Sequence, residues 1–445
     1  MLSSPPGAVG VGLLGLGTIG TGVVKLLQRS ADEIARRLGF PLRLLRVADL
    51  DLERERGLNL SGLRFDSDAA GLVADPQVDV VVELIGGVGA ARELSMQAIE
   101  NGKALVTANK ALLALHGAEI FGAAERRGVD VAFEASVGGG IPILRALREG
   151  LSANRIESLH GIMNGTTNYV LSEMEATGES FEVVLKRAGE LGYAEADPSF
   201  DVDGVDAAHK LALLAALAFG AQLSFEQIPT EGIRELAPLD FEAAAEFGFR
   251  IKMLGIAKPW AEPGGLRIEA RVHPTMIPAH SLLANVNGAM NAIAVQGDAV
   301  GPTLFYGAGA GELPTASAVV ADLMELAREL RRGSALRVAP LGFPLSQLQP
   351  LPIVPLGEVQ ARCYLVFTAR DRPGVLAEIA SLLGQCGISI ESVLQKGRGG
   401  DAGAVPIVVL THPARERDVQ RALAEIDRLP DVAARSRLLR IEEKL

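Results

Sequence analysis

A lysine and an aspartate stand four residues apart in the acidic segment EADPSFDVDGVDAAHKLALLAA, residues 195–216. Residues at this spacing share one face of a helix. There the Asp206 carboxylate could orient the Lys210 ammonium to donate or remove a proton at a carbonyl oxygen, best with a pKa lowered toward neutrality by burial. Helix capping is the alternative interpretation, because Asp is a good N-cap and acidic residues favour the positive end of the helix dipole.

The glycines near the N-terminus form a second chemical pattern. Residues 9–14 predict a buried parallel strand, and GLGTIG follows directly, before a helical pattern that ends at Gly39. In this setting the first glycine makes the tight turn, the second admits a pyrophosphate and the third lets helix and strand pack closely. The first N–H groups of the helix then hold the phosphate. The pattern predicts a dinucleotide site, with a merely glycine-rich turn as the alternative; its residues are Gly15, Gly17, Thr18, Ile19 and Gly20.

Asp49 follows the second predicted strand, residues 42–48. An acid at the end of that strand holds the 2′-hydroxyl of an NAD ribose. No arginine stands directly beside Asp49 to accept a 2′-phosphate, although Arg54 and Arg56 are close by. The sequence therefore favours NAD over NADP, and an ordinary loop acid is the alternative.

Asn109 and Lys110 end a later predicted strand, residues 104–110. Because ligands bind at the carboxyl ends of strands in open α/β sheets, we expect both residues to contact the cofactor, with Lys110 where a nicotinamide and a carbonyl would meet. An ordinary surface lysine is the alternative. Further buried strands are predicted at residues 79–87 and 129–133.

The composition excludes several classes of protein. A length of 445 residues suggests about three domains, and 48% hydrophobic with 22% charged residues is typical of a globular protein. A net charge of −11 without a basic patch argues against a nucleic-acid partner, and the lack of a run of about 18 apolar residues argues against a membrane span. The two cysteines, Cys363 and Cys386, make neither a disulfide framework nor a zinc site, so we expect a cytoplasmic protein.

Four longer motifs follow the dinucleotide fingerprint in order: EASVGGGIPI, GIMNGTTNY, LGYAEADPSFDVDGVDAAHKL and GAGAGELPTASAVVADL. Together they closely resemble homoserine dehydrogenase over roughly residues 9–335. The resemblance implies reversible reduction of L-aspartate 4-semialdehyde to L-homoserine, with NAD or NADP as cofactor, in threonine and methionine biosynthesis. We expect the monofunctional form, without an aspartate kinase domain ahead of it.

The resemblance also implies roles for individual residues. Lys210 would be the general acid/base, Asp206 would hold the substrate near it, and Lys110 across the cleft would be the alternative proton donor. The implied substrate-binding residues are Glu195 at the amino group, Asp201, Asp206, Thr166 and Tyr193. The implied further cofactor contacts are Gly192, Gly309 and Gly311. A monovalent cation, usually sodium, is implied at Glu134, Val137, Gly139 and Ile141, mostly through backbone carbonyls.

The C-terminal residues predict a separate regulatory module. Prolines at positions 340, 344, 350, 352 and 355 mark a linker, and the patterns beyond it follow the order βαββαβ. This order resembles an ACT domain, which binds amino acids. The implied effector is L-threonine, bound at a paired interface by backbone N–H groups of a turn; alternatively the module only dimerises. The turn residues are Asp371, Gly374 and Val375, and the usual hairpin of the domain is interrupted by Gly397, Gly399 and Gly400.

The predicted fold class is therefore α/β, with a Rossmann-type doubly wound parallel sheet, an α+β catalytic and dimerisation domain, and a C-terminal βαββαβ ACT domain. The expected domain bounds are 1–145, completed by a return helix at about 312–335, then 146–311, a linker at 336–360 and the ACT domain at 361–445. We expect a homodimer or homotetramer that acts on a small-molecule substrate.

Two other functions fit parts of the pattern. A phosphorylating aldehyde dehydrogenase needs a cysteine nucleophile in its catalytic domain, and no cysteine precedes Cys363. A non-catalytic NAD-dependent amino-acid sensor is the remaining alternative, although a binding protein has no need of the Asp206–Lys210 pair.

Overall fold

The computed structural model describes residues 7–222, 225–395 and 403–445. The glycines predicted to interrupt a hairpin, Gly397, Gly399 and Gly400, lie outside the described residues. The chain forms two compact units. The first comprises Met1–Glu157, His209–Gln227 and Met290–Leu351, and the second comprises Ser158–Ala208, Ile228–Ala289 and Pro352–Leu445. No helix among the described residues is long and apolar enough to cross a membrane.

Helices and strands alternate from β3 to α7, and consecutive helices and then consecutive strands follow. The strands are β1 (Val9–Leu14), β2 (Leu42–Ala48), β3 (Arg64–Asp66), β4 (Val80–Glu83), β5 (Ala104–Thr107), β6 (Val131–Ala132), β7 (Ile156–Ile162), β8 (Phe249–Glu262), β9 (Gly265–Pro278), β10 (Met290–Gly297), β11 (Gly301–Ala308), β12 (Gln360–Arg370), β13 (Ile390–Gln395), β14 (Ala404–Thr411), β15 (Ala414–Arg415) and β16 (Val432–Ile441). The helices are α1 (Thr18–Arg29), α2 (Ala31–Leu38), α3 (Ala69–Ala74), α4 (Gly89–Glu100), α5 (Lys110–Arg127), α6 (Ile143–Arg145), α7 (Gly165–Thr177), α8 (Phe181–Glu190), α9 (Ser199–Val202), α10 (Val205–Phe219), α11 (Pro238–Glu246), α12 (Glu312–Arg332), α13 (Val375–Gln385) and α14 (Glu416–Ile426).

Six parallel strands form the sheet of the first unit, in the order β3-β2-β1-β4-β5-β6. This order is that of dinucleotide-binding folds. Strands β1, β4 and β5 are buried along their whole length, as expected of a parallel sheet covered on both faces. Helix α12 packs against α1, where Lys25 and Glu312 form an ion pair of 2.7 Å. The Rossmann-type sheet predicted from the sequence is confirmed.

The helical pattern that follows the glycine-rich loop is divided into two helices. Its predicted end is confirmed, because Gly39 adopts a left-handed φ of +82° and closes α2. The prediction of one continuous helix was wrong, because Ser30 leaves helical geometry with a ψ of 18° and separates α1 from α2. Asp32 and Glu33 then lie in the first turn of α2, where acidic residues favour the start of a new helix.

The second unit contains a mixed sheet with the strand order β7-β8-β9-β16-β12-β14-β13. Strands β8 and β9 form a long antiparallel hairpin, and β16 joins β9 by parallel pairing of Arg440 with Thr275. Strands β12, β13, β14 and β16 pair antiparallel and, with α13 and α14, give the order βαββαβ. The predicted ACT topology is confirmed, and its sheet continues the β8–β9 hairpin. Its core includes Leu365, Phe367, Ile379, Val409 and Val419.

Strand β7 buries a histidine that is 1% exposed, His160. Its Nε2 atom has no hydrogen-bond partner within the described ranges. Burial, with smaller effects of Lys258 and Arg271, lowers the pKa of His160 to about 3. In the unfolded chain the same group takes up a proton near its ordinary pKa of 6.5. The free energy of unfolding therefore decreases as the pH falls from about 6.5 toward 3.

Replacement of His160 with glutamine should therefore flatten the acid side of the stability profile. Between about pH 7 and pH 5, protonation of His160 in the unfolded chain lowers the free energy of unfolding by about 2 kcal/mol. The free energy of unfolding of the His160→Gln variant should fall by that much less over the same interval. Urea unfolding at both pH values measures the difference. His280→Gln, at an exposed histidine, is the matched control, and equal pH dependence in all three proteins would contradict the burial argument.

Candidate active site

The glycine-rich loop between β1 and α1 has the geometry of a phosphate-binding turn. Gly15 has a φ of +92°, and a Cβ there would lie 2.7 Å from the carbonyl oxygen of Leu84. A Cβ on Gly20 would clash with the carbonyl oxygen of Gly15, whereas a Cβ on Gly17 would meet nothing within 4 Å. Helix α1 begins at Thr18 without a side-chain cap. The first and third glycines are therefore required by packing, and the second leaves space above uncapped N–H groups, where a pyrophosphate can bind.

Asp49, at the end of β2, is tied to this loop. Its carboxylate accepts hydrogen bonds from the backbone N–H groups of Leu16 and Asp51. The Arg56 guanidinium lies 3.4 Å from the same carboxylate and donates to the Leu16 carbonyl at 2.8 Å. Arg56 is thus held beside Asp49 by contacts that the sequence interval between them does not reveal.

A buried glutamate that sequence reasoning missed lies at the end of β4. Glu83 is fully buried and accepts hydrogen bonds from the Thr107 hydroxyl at 2.7 Å and from the Ile85 N–H at 2.9 Å. Burial raises the pKa of Glu83, and these hydrogen bonds oppose that shift. The carboxyl group joins the ends of β4 and β5, so it positions the loops at the ligand-binding edge. An acid that ends the apolar run DVVVE was the signal available in the sequence.

Asn109 and Lys110 lie at this edge, but not at the tip of a strand as predicted. Strand β5 ends at Thr107, and Lys110 is the first residue of α5. The Asn109 side chain caps that helix by accepting from the Leu112 N–H at 3.0 Å. It also donates to the Gly87 carbonyl at 2.6 Å. The predicted strand was too long, because Asn109 caps α5 and the chain leaves the strand after Thr107.

The segment proposed for a cation has buried oxygen atoms that fit one. Val137 and Gly139 are buried, and among the described residues their carbonyl oxygens accept no hydrogen bond. Buried carbonyls without partners are uncommon and suggest a bound ion or water. Both Glu134 carboxylate oxygens accept backbone N–H groups at 2.8 Å, and burial raises the pKa of that carboxyl. The Ile141 carbonyl already accepts a hydrogen bond from the N–H group two residues later, at 2.8 Å.

Gly309 packs directly on this segment. A Cβ on Gly139 would lie 2.5 Å from the Gly309 carbonyl oxygen, and a Cβ on Gly309 would clash with the Asn291 amide. Asn291 is fully buried, and neither of its amide atoms has a partner in the described chain. Gly311 has a φ of +125° and precedes α12. Asn291 is a second residue that sequence reasoning missed, and nothing in its local sequence singles it out.

In the second unit, hydrogen bonds of Asn164 and Thr166 connect four of the predicted substrate residues: Thr166, Tyr193, Asp201 and Asp206. Its amide nitrogen donates to Asp201 at 2.7 Å and to Asp206 at 2.8 Å. The Thr166 hydroxyl contacts the other Asp201 oxygen at 3.1 Å and the Tyr193 carbonyl at 2.6 Å. The sequence singled out the motif GIMNGTTNY that contains Asn164, but not Asn164 itself as the residue that joins the acids.

Glu195 is the remaining predicted substrate residue. It is exposed and borders an open pocket of about 530 Å³. Gly192, which was predicted as a cofactor contact, is also exposed and has a φ of +78°.

Helix α10 carries Asp206 in its first turn and Lys210 one turn later. The two side chains are 3% and 8% exposed. Gly204, with a φ of +86°, stands directly before the helix. Because a carboxylate in the first turn also favours the helix dipole, the capping and chemical interpretations of Asp206 are compatible.

A buried lysine beside this region was missed by sequence reasoning. Lys252, on β8, is fully buried, and burial lowers its pKa to about 8. Its ammonium donates to the Val286 carbonyl at 2.7 Å and to the Asn287 side chain at 3.1 Å. It also contacts Asn168 of α7 at 3.4 Å. A lysine inside a strand pattern gave no signal of these contacts.

The six-stranded sheet, its glycine-rich loop and the C-terminal module define a dinucleotide-binding protein with an ACT domain. Models of the homoserine dehydrogenase NAD-binding domain, of homoserine dehydrogenase itself and of the ACT domain match residues 15–134, 142–324 and 364–431. The chain belongs to the homoserine dehydrogenase family, and its activity is that of an oxidoreductase with a nicotinamide cofactor.

Individual relatives agree with the family assignment along the whole chain. The homoserine dehydrogenase of Neisseria gonorrhoeae is 50% identical, with 98% of each chain covered. That of Pseudomonas aeruginosa is 49% identical over 98% of this chain and 99% of the relative. The crystal structure of a homoserine dehydrogenase from Thiobacillus denitrificans is 52% identical, covers 98% of both chains and superposes with a TM-score of 0.92.

Alanine substitutions at two glycines of the loop should affect different properties, stability for one and NADH binding for the other. Gly20→Ala should lower the thermal unfolding midpoint, because its Cβ would clash with Gly15. Gly17→Ala should leave the midpoint unchanged but weaken NADH binding by about tenfold, which corresponds to about 1.4 kcal/mol, because its methyl group occupies the space left for the pyrophosphate. Thermal unfolding and NADH fluorescence titration measure the two effects. Unchanged NADH binding by Gly17→Ala would contradict the assignment of the loop.

Proposed function

We propose that the chain catalyses the reversible reduction of L-aspartate 4-semialdehyde to L-homoserine, with Lys210 as general acid/base. The observation that carries this proposal is the face of α10, on which buried Asp206 and buried Lys210 stand one turn apart. Asp206 shares the Asn164 amide with Asp201. Carboxylates one helical turn from a buried lysine suit a site that binds an amino group and moves a proton.

The proton step is proposed as follows. The bound cofactor supplies a hydride to the aldehyde carbon. The π electrons of the carbonyl move to oxygen, and the Lys210 ammonium donates a proton to that oxygen, which yields a hydroxyl group and a neutral amine. In the oxidation direction the amine takes the hydroxyl proton back. Lys110 is the alternative donor, because it opens α5 at the ligand-binding edge of the parallel sheet.

Carboxylates are proposed to hold the substrate's ammonium group. Asp201 and Asp206 form the inner part of this site, and Thr166 fixes Asp201 through its hydroxyl. Tyr193 contributes the carbonyl that positions Thr166. Glu195, which is exposed, would approach the ammonium group from the solvent side when the substrate binds.

NAD is the proposed preferred cofactor, because Asp49 stands where a ribose 2′-hydroxyl is bound. Arg56 beside it supports additional use of NADP, since an arginine there can accept a 2′-phosphate. The further proposed cofactor contacts are Asn109, Lys110, Gly192, Gly309 and Gly311. Sodium or another monovalent cation is proposed at Glu134, Val137, Gly139 and Ile141, where the unpartnered carbonyls of Val137 and Gly139 support it.

The ACT domain is proposed to bind L-threonine at the turn before α13. Gly374 has a φ of +101°, and α13 begins at Val375 without a side-chain cap, so backbone N–H groups there suit a carboxylate. The neighbouring Asp371 N–H donates to the Gly403 carbonyl at 3.0 Å. We further propose a homodimer or homotetramer with functional domains at 1–145, 146–311 and 361–445.

Replacing Lys210 with methionine should reduce kcat for L-homoserine oxidation by about 10²- to 10⁴-fold, the usual loss of a general acid/base. NADH binding should be retained, because the loss is in proton transfer. Initial rates with NAD and with NADP, followed by absorbance of the reduced cofactor, measure the effect and the cofactor preference together. Lys110→Met tests the alternative donor.

Lys186→Met, at an exposed lysine of α8, is the control and should match the unaltered protein. Unaltered kcat in Lys210→Met would contradict the assigned role. Absence of turnover in every protein, with NADH still bound, would favour the amino-acid sensor.

Replacement of Gly374 with alanine should weaken inhibition by L-threonine by about tenfold or more, because a Cβ at a φ of +101° distorts the turn. The rate without threonine should remain unchanged. Gly384→Ala, on the same helix with open space around it, is the matched control. Rates measured over a range of L-threonine concentrations give the inhibition constant of each variant. Equal inhibition constants for the two variants would place the effector site elsewhere.

A further inference from the structure

An arginine that is 1% exposed connects two glutamates in the second unit. The Arg440 guanidinium donates to the two Glu231 carboxylate oxygens at 2.6 and 2.7 Å. It also donates to the two Glu416 oxygens at 3.0 and 2.6 Å. Bidentate contacts of this kind are strong and fix orientation as well as distance. We refer to Glu231, Glu416 and Arg440 as the arginine clamp.

The clamp joins the ACT domain to the segment that precedes it in the chain. Glu416 is the first residue of α14, and Arg440 is the penultimate residue of β16, both in the ACT domain. Glu231 belongs to the loop before α11. At the same place the backbone of β16 pairs with β9. The clamp is therefore built at the seam where the ACT sheet continues the β8–β9 hairpin.

The Glu231 loop is pressed against the end of α9. The Ile233 N–H donates to the Val202 carbonyl at 3.0 Å, and the Glu231 N–H donates to the Val272 carbonyl at 2.8 Å. A Cβ on Gly232 would lie 2.7 Å from the Val202 carbonyl oxygen. The loop and the end of α9 are therefore in direct backbone contact, with no space for even a methyl group at Gly232.

Helix α9 carries one of the acids joined by Asn164. Asp201 immediately precedes Val202, and its carboxylate contacts Asn164 and Thr166. Asp206 follows four residues after Val202 and contacts the same Asn164 amide. The connection from Arg440 to the two aspartates thus runs through a single loop and a single short helix.

We propose that Arg440 is a positioning residue for substrate binding: by holding Glu231, it keeps α9 where Asp201 and Asp206 converge on Asn164. This inference rests on the proposed function, in which those carboxylates bind the substrate's ammonium group. Buried ion pairs contribute little net stability, because desolvation offsets their attraction. Placement of the loop therefore accounts for the clamp better than stability alone.

A substitution at Glu231 tests the clamp without removing the buried arginine. Its side chain is 42% exposed and borders a cavity of about 610 Å³. Glu231→Gln keeps the shape of the side chain and removes its charge, while Glu416 still pairs with the buried guanidinium. We expect the KM for L-homoserine to rise roughly 3- to 30-fold, with kcat and the KM for NAD unchanged.

Glu391→Gln is the matched control. Glu391 is 32% exposed and also pairs with an arginine, Arg362, but both residues lie within the ACT domain. The two variants should have equal thermal unfolding midpoints, and only Glu231→Gln should change the KM for L-homoserine. Equal KM values in the two variants would overturn the proposal.

Arg440→Lys is the second variant, because a lysine keeps the charge but cannot make two bidentate contacts. It should raise the same KM without affecting the KM for NAD. If this variant does not fold, Glu231→Gln alone decides. Absence of turnover in the unaltered protein would instead contradict the proposed function, so failures of the two ideas are distinguishable.

Discussion

Two carboxylates held by one amide group are the constraint on which the candidate site in the second unit depends. The Asn164 nitrogen has two N–H bonds and directs one to Asp201 and one to Asp206. Like charges brought together in a partly buried place repel each other, and the amide offsets this only in part. A single positive charge between the two acids would balance one of their two negative charges. This amide group connects helix α7, which Asn164 caps, to the segment from α9 to α10.

Local patterns made much of the first unit predictable. The glycine-rich loop, the buried strands and the helix end at Gly39 follow from spacing and backbone preference within about forty residues of sequence. The break at Ser30 and the end of β5 at Thr107 were not predicted, because caps compete with the longer pattern. The contact of Arg56 with Asp49 depends on how a loop folds back, which residue spacing does not encode.

Three charged residues whose roles sequence reasoning did not reveal have partners that are distant in the chain. Glu83 meets a hydroxyl 24 residues away, Lys252 meets a carbonyl 34 residues away, and Arg440 meets Glu231 across 209 residues. Each looks like an ordinary charged residue beside its neighbours in sequence. Only the tertiary fold gives these groups their burial and, for Glu83 and Lys252, their shifted pKa values.

Charged side chains, rather than apolar packing alone, set the register between β16 and β9. Arg440 and Glu442 are two residues apart and share one face of an extended chain; Glu442 contacts Arg271 at 3.1 Å and Lys258 at 2.7 Å. A slip of one residue would turn both side chains to the opposite face and leave several buried charges unpaired. The same slip would also move the apolar side chains of β16 from the buried face to the opposite one. The seam therefore permits one alignment, and that alignment is the one in which Arg440 reaches Glu231.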